Sequence, residues 1–113
     1  MPSLVWTESV AGGAVYRPLD GWDYEYVPMG GTIAILHDAT AVGMVATITS
    51  GADQLQARAP VPAGGTTGVI PSMFDVPAIL DEVAAGDRIK VLYENTTGGA
   101  VIVNGTIDYK PGI

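Results

Sequence analysis

One histidine and twelve carboxylate side chains are the groups of this sequence that could take part in catalysis or metal binding. The histidine, His37, ends an apolar run, and no Gly-x-Ser-x-Gly elbow accompanies it, so a Ser/His/Asp triad has no signature here. As a metal ligand it lacks a second histidine or a cysteine to join it. We therefore expect His37 to be structural, and we predict no catalytic residue, no metal site and no cofactor.

The carboxylates gather at two turns of the chain. Each group is close in sequence, with Asp20, Asp23 and Glu25 in the first and Asp81, Glu82 and Asp87 in the second. Ca²⁺ binds several oxygen ligands, and paired carboxylates cleave glycosidic bonds, so either role is open to each group. Neither has the Asp-x-Asp-x-Asp-Gly spacing of a calcium loop. Solvated surface charge is the favoured interpretation, with a small hydrolase that uses an Asp/Glu pair as a weaker hypothesis.

The densest aromatic feature is an alternation of aromatic and acidic residues that follows the Asp-Gly turn. Successive side chains of a strand point to opposite faces, so the pattern predicts a strand with Trp22, Tyr24 and Tyr26 on one face. These rings are expected to form a stripe of the core, because burial of aromatic side chains stabilises small domains. The alternative is a sugar-stacking platform, with Asp20 or Asp23 holding calcium.

The composition limits what the whole chain can do. Its 113 residues suit one domain, so we expect residues 1–113 to form a single β domain, with 1–13 as a candidate extended N-terminal arm. Only 15% of the residues are charged and 48% are hydrophobic, which predicts apolar surface that meets a partner. The net charge of −7 and five scattered basic residues argue against nucleic acid as that partner. The N-terminus does not match a signal peptide, and no apolar run is long enough to span a membrane.

The clearest structural pattern is a pair of alternating runs between Gly86 and Tyr109. The residues expected on the buried face are Ile89, Val91, Tyr93, Val101, Val103, Ile107 and Tyr109. A short Asn/Thr/Gly segment, 95–99, joins the two runs. Alternating runs joined in this way predict an antiparallel hairpin with one buried face.

Other runs of strand length are separated by Gly, Pro, Asn or Asp. The predicted strands lie at 3–10 (a strand or part of the arm), 14–17, 22–27, 32–37, 42–49, 54–58 and 69–70. Residues 71–86 are predicted as one helical turn followed by extended chain, with a longer helix left open. About eight strands in this arrangement predict an all-β fold, a small antiparallel β-sandwich of the jelly-roll type, with an immunoglobulin-like sandwich as the alternative.

One part of the chain resembles a known group of proteins. Residues 84–99 read Ala-Ala-Gly-Asp-Arg-Ile-Lys-Val-Leu-Tyr-Glu-Asn-Thr-Thr-Gly-Gly and are followed by the run 101–109. This stretch is similar to the C-terminal part of tailed-bacteriophage capsid decoration (cement) and head-spike proteins. In those proteins a Gly-Asp turn leads into a strand, an Asn-Thr-x-Gly turn follows, and the last strand ends near a proline. Lectin-like and carbohydrate-binding jelly rolls share the same Gly-Asp turn.

The resemblance implies a non-enzymatic virion protein, made in the host cytoplasm, that binds and stabilises an assembled phage capsid. Its expected partners are the major capsid protein and further copies of itself, with a trimer favoured. The residues expected to contact the capsid are Leu4, Val5, Trp6 and Val10, within the candidate arm. The alternative function is carbohydrate binding, with Trp22, Tyr24 and Tyr26 stacking on sugar rings.

Overall fold

The computed structural model describes residues 3–71, 76 and 78–112. Eight β-strands lie in these ranges, and all other described residues belong to turns and loops. The strands are β1 (Ser3–Val10), β2 (Val15–Tyr16), β3 (Gly31–Ala39), β4 (Met44–Ser50), β5 (Asp53–Pro60), β6 (Ile79–Val83), β7 (Ile89–Asn95) and β8 (Val101–Pro111). Within these ranges, no helix of the length and hydropathy needed to cross a membrane is found.

The strands form two four-stranded sheets that pack face to face. Sheet A has the strand order β1-β8-β3-β6, and sheet B has the order β2-β7-β4-β5. Every strand pairing in both sheets is antiparallel. Among the described strands, only β4 and β5 follow each other within one sheet, while the other connections cross the sandwich. This is the jelly-roll arrangement, so the predicted all-β sandwich is confirmed and the immunoglobulin-like alternative is not adopted.

The hairpin predicted between Gly86 and Tyr109 is wrong, although its two strands exist. β7 pairs with β2 and β4 in sheet B, whereas β8 pairs with β1 and β3 in sheet A. The segment between them is an arch from one sheet to the other. The Asn95 side chain holds this arch, because its Nδ2 donates to the carbonyls of Val10 and Gly99, each at 2.8 Å. Its Oδ1 accepts from the Thr97 amide at 2.9 Å.

The buried faces of β7 and β8 are nevertheless as predicted. The seven residues expected inside are all buried, namely Ile89, Val91, Tyr93, Val101, Val103, Ile107 and Tyr109. Alternation reports which side of a strand is covered, and both sheets of a sandwich turn one side to the shared core. The same pattern therefore arises whether two runs are neighbours in one sheet or face each other across the core.

The strand predicted over 22–27 is also wrong. The chain there makes successive turns, with the Trp22 amide donating to Leu19 and the Glu25 amide donating to Trp22, each at 3.0 Å. One isolated bridge joins Tyr26 to Arg88. Glu25 is buried and Tyr26 is 58% exposed, so the order of inside and outside expected for these two residues is reversed. The alternating pattern alone cannot distinguish this loop from a strand. Glu25 is buried because it forms an ion pair with Arg88, which is distant in the sequence.

The remaining segments follow the sequence more closely. The predicted strands at 14–17, 32–37, 42–49 and 54–58 correspond to β2, β3, β4 and β5. Residues 69–70 lie in no strand, so that prediction is wrong. The extended chain expected before Gly86 is β6. The helical turn expected ahead of it falls mainly on residues that lie outside the described ranges.

Ser3–Val10 is the strand β1 and not an arm. It pairs with β8 along its whole length, from Ser3 opposite Asp108 to Val10 opposite Val101. The N-terminal segment therefore completes one edge of sheet A in its own domain.

Candidate functional site

His37 lies in the core and not at an accessible site. Its side chain is 2% exposed, and its Nδ1 lies 2.8 Å from the Tyr93 hydroxyl oxygen, with the two rings edge to face. Burial lowers the pKa of His37 to about 4. Burial also raises the pKa of the Tyr93 phenol well above its usual range. His37 and Tyr93 thus form a neutral imidazole–phenol pair buried between the two sheets.

The first carboxylate group contains one buried member, Glu25. Its Oε2 accepts from Arg88 Nε at 2.6 Å and lies 2.5 Å from Arg88 Nη2, while its Oε1 accepts from the Gly21 amide at 3.2 Å. These bonds compensate for the loss of hydration of the carboxylate. Arg88 in turn lies under the Tyr26 ring, with its guanidinium carbon 5.4 Å from the ring centre. The bridge therefore fixes the loop that contains the aromatic residues.

In the second carboxylate group, Asp87 stabilises the turn before β7. Asp87 Oδ2 accepts from the Ala84 amide at 2.9 Å, which stabilises the chain as it enters β7. Across the described ranges, no cluster of three or more histidine, aspartate or glutamate side chains could hold a metal ion.

The aromatic residues predicted to stack on sugars do not form a row. Trp22 and Tyr24 are partly buried against the core and meet edge to face, with ring centres 5.5 Å apart. Tyr24 also contacts the buried Tyr109 at 5.7 Å. Tyr26 is 58% exposed and lies over Arg88. The loop conformation thus gives no common open platform for the three rings.

The four residues predicted to contact a capsid divide between two faces of β1. Trp6 and Val10 point into the core and are buried, and Leu4 packs against it. Val5 points the other way and is 56% exposed. The separation follows from strand geometry, because neighbouring side chains leave opposite faces of the strand. Val5 is thus the member of this group that a partner could contact most directly.

Val5 belongs to an apolar surface on the outer face of sheet A. The strand register sets Val5 and Leu36 on either side of Thr106, and it sets Leu80 beside Ala34 in the next row. We call these five residues the apolar strip. Leu80 is 67% exposed, and the groove beside it has a volume of about 680 Å³. Its rim carries the charged residues Glu82, Asp108 and Lys110.

One end of the same outer face is closed by the loop that follows β5. Asn104 is buried there, and its Nδ2 donates to Asp38 Oδ1 at 3.0 Å and to the Thr66 carbonyl at 3.2 Å. Its Oδ1 accepts from the Thr7 hydroxyl at 3.0 Å and from the Gly68 amide at 3.1 Å. These bonds fasten the loop over one end of the sheet, and the apolar strip lies on the part of this face that stays open.

The outer face of sheet B has a different character. Arg17, Arg88 and Lys90 line a groove of about 360 Å³ together with Asp20, two threonines and two aliphatic residues. On the same sheet, Arg58 Nη1 lies 3.3 Å from Glu94 Oε1. Four of the five basic residues that are scattered along the sequence therefore lie on or beside one face. The apolar strip and this basic face could not be recognised from the sequence because both depend on which strands are neighbours.

The chain matches no protein-family model, and comparisons with curated proteins and with solved structures found no match either. Its fold places it in the class of jelly-roll β-sandwiches. One sheet of this sandwich carries the apolar strip on its outer face, and the other carries a groove lined by three basic residues.

Proposed function

We propose that this protein is a non-enzymatic structural component of a bacteriophage virion, which binds the major capsid protein on the assembled shell and stabilises it. The observation that carries the proposal is the apolar strip, in which Leu80 and Val5 are more than half exposed. Jelly rolls occur in viral capsid proteins and also in lectins, so the fold alone does not decide between these functions. The resemblance of residues 84–109 to decoration proteins supports the first.

The strip offers binding energy of the kind that such a role requires. Burial of apolar side chains against another protein gives about 25 cal/mol for each Å² removed from water. The contact made by one copy is small, but a capsid offers the same site many times. Copies that are joined to one another can occupy several of these sites at once and therefore dissociate much more slowly than a single copy would.

The charges beside the strip indicate the chemistry of the coat surface. Glu82 and Asp108 border the groove with one basic neighbour, Lys110, and the protein as a whole has a net charge of −7. A coat surface that is apolar at its centre and basic at its margin would complement this face. With sheet A on the shell, the basic face of sheet B would point away from it.

Replacing Leu80 with glutamate is expected to weaken attachment to the shell by at least about tenfold, because binding would then bury a carboxylate with no partner. Co-sedimentation with capsids assembled without this protein measures the effect. Val42→Glu makes the same change in charge at a residue that is 76% exposed on the turn before β4, so it should bind like the wild type. A wild-type protein that does not co-sediment, or a folded Leu80→Glu protein that binds undiminished, would show that the proposal is wrong.

Carbohydrate binding remains the second candidate, and the groove of sheet B now supports it better than the aromatic residues do. Within the described part of the chain, neither Arg17 nor Lys90 forms an ion pair, and both line the groove beside Asp20. Basic groups bind a carboxylate, and hydroxyl and carboxylate side chains bind sugar hydroxyls, so an acidic sugar is the ligand that fits.

The double variant Arg17→Gln/Lys90→Gln is expected to lose affinity for uronic-acid oligosaccharides by about tenfold or more. Titration calorimetry measures the loss, and Lys110→Gln on the opposite sheet serves as the control for overall charge. If the wild-type protein releases no binding heat with these sugars at millimolar concentration, the carbohydrate function is excluded for this groove.

A further inference from the structure

Four strands form the edges of the two sheets. These are β1 and β6 in sheet A, and β2 and β5 in sheet B. An edge strand exposes unpaired backbone groups that can pair with another chain, and proteins that stay monomeric obstruct such edges. The obstructions are short length, bulges, proline, and charges that point inward.

Three of the four edges are short or irregular. β2 has only two residues. β5 is broken by two register shifts against β4, and Arg58 within it has a positive φ of 48°, an unusual value for a residue other than glycine. β6 has five residues, and Asp81 points inward from it, opposite the buried Ile33. A second chain could not extend any of these strands without disturbing them.

β1 is the least obstructed edge, because its one such feature is Glu8, which lies opposite the buried Val103 and so points inward near the end of the strand. Its eight residues run in unbroken register with β8 and include no proline, glycine or lysine. Its one charged residue is Glu8, near the end of the strand. The side chains on its outer face, Ser3, Val5, Thr7 and Ser9, are small or β-branched and exposed. This edge is therefore ready to accept another strand.

We infer that β1 pairs antiparallel with β1 of a second copy of this chain, so that the two A sheets form one continuous eight-stranded sheet. When β1 pairs antiparallel with β1 of another copy, a two-fold axis relates the two chains. Both copies then contribute the same residues to the interface. With Val5 on the axis, Val5 meets its own symmetry mate and Leu4 lies opposite Trp6. A two-fold pair replaces the trimer expected from the resemblance.

Charge favours this register. The two copies of Glu8 would lie on opposite sides of the axis, about 20 Å apart at the usual rise of a strand. That separation exceeds the Debye length of about 8 Å at physiological ionic strength, so their repulsion is weak. The pairing would also join the two apolar strips across the axis, because Val5 is the end of each strip nearest to it. The dimer does not depend on what the strips bind.

The experiment is sedimentation velocity of the full chain over micromolar to millimolar concentrations, with Val5→Lys as the variant. Val5→Lys sets two lysines together on the axis and should raise the dimer dissociation constant by at least about a hundredfold. Val42→Lys, an equal change on the turn before β4, should leave the dimer intact. Hydrogen exchange gives a second readout, since backbone amides of β1 should be protected in the wild-type dimer and exchange faster in Val5→Lys.

A wild-type protein that stays monomeric up to millimolar concentration overturns the inference. So does a Val5→Lys protein that remains dimeric, or a dimer in which the β1 amides exchange as in a monomer. Leu80→Glu lies on the far edge of the sheet and should leave the dimer unchanged. Loss of capsid binding in Leu80→Glu with an intact dimer is therefore a separate result from loss of the dimer in Val5→Lys.

Discussion

Gly105→Ala is expected to lower the free energy of unfolding by about 3 kcal/mol, at the upper end of the range for overpacked cores. Register places Gly105 on β8 directly opposite Trp6 on β1, and the indole lies across the glycine. A methyl group at residue 105 would overlap the ring atoms Cε2, Cζ2 and Nε1 of Trp6. The ring is buried, with Tyr93 on another side at a centroid distance of 6.3 Å, so it cannot move aside easily.

A double-mutant cycle with Trp6→Ala tests this explanation. Trp6→Ala alone should cost about 4 kcal/mol, because it leaves a large cavity. In that background Gly105→Ala should cost little, which gives a coupling energy of about 3 kcal/mol. Urea unfolding of the four proteins measures each value. Gly99→Ala is the matched control, since an added Cβ there meets no atom and the change should stay within about 0.5 kcal/mol. Additive effects of the two core changes would contradict the proposed overlap.

The same glycine illustrates what the sequence could and could not predict. Alternation in the last strand identified Val103, Ile107 and Tyr109 as buried, and the structure agrees. Nothing in the sequence indicated that Gly105 receives a tryptophan from a residue 99 positions earlier, in a strand paired with β8. Burial patterns are local in sequence, whereas strand partners are not, and β8 pairs with β1 and β3 instead of with β7.

The candidate surfaces show the same limit. The low charge content predicted an apolar contact surface, but the apolar strip combines β1, β3, β6 and β8 and could be assembled only after the pairing was known. The N-terminal residues were predicted to contact a partner, and alternation along β1 leaves Val5 outside and sends Trp6 inward. In the loop before Val27, the ion pair that the buried Glu25 forms with Arg88 reverses the faces that alternation suggested.

Acidification from pH 7 to pH 4 is expected to remove about 3 kcal/mol of stability through His37 alone. The pKa of His37 is about 4 in the folded protein because the side chain is buried, against an ordinary value of 6.5 in the unfolded chain. Between these two values the unfolded chain binds a proton that the folded protein does not. The free energy of unfolding therefore falls as the pH drops below 6.5, and this contribution levels off below pH 4.

His37→Gln isolates that contribution from the carboxylates, which also bind protons in this range. Glutamine can keep a hydrogen bond to the Tyr93 hydroxyl, which His37 Nδ1 approaches to 2.8 Å, and it does not titrate. Urea unfolding of both proteins at several pH values between 4 and 7 gives two curves whose separation is the effect of the histidine. The difference between the two free energies of unfolding should change by about 3 kcal/mol from pH 7 to pH 4. The reason is that only the wild-type protein is destabilised when its histidine binds a proton in the unfolded chain. Parallel curves would mean that His37 accepts a proton in the folded protein as easily as in the unfolded chain, contrary to its burial between the sheets.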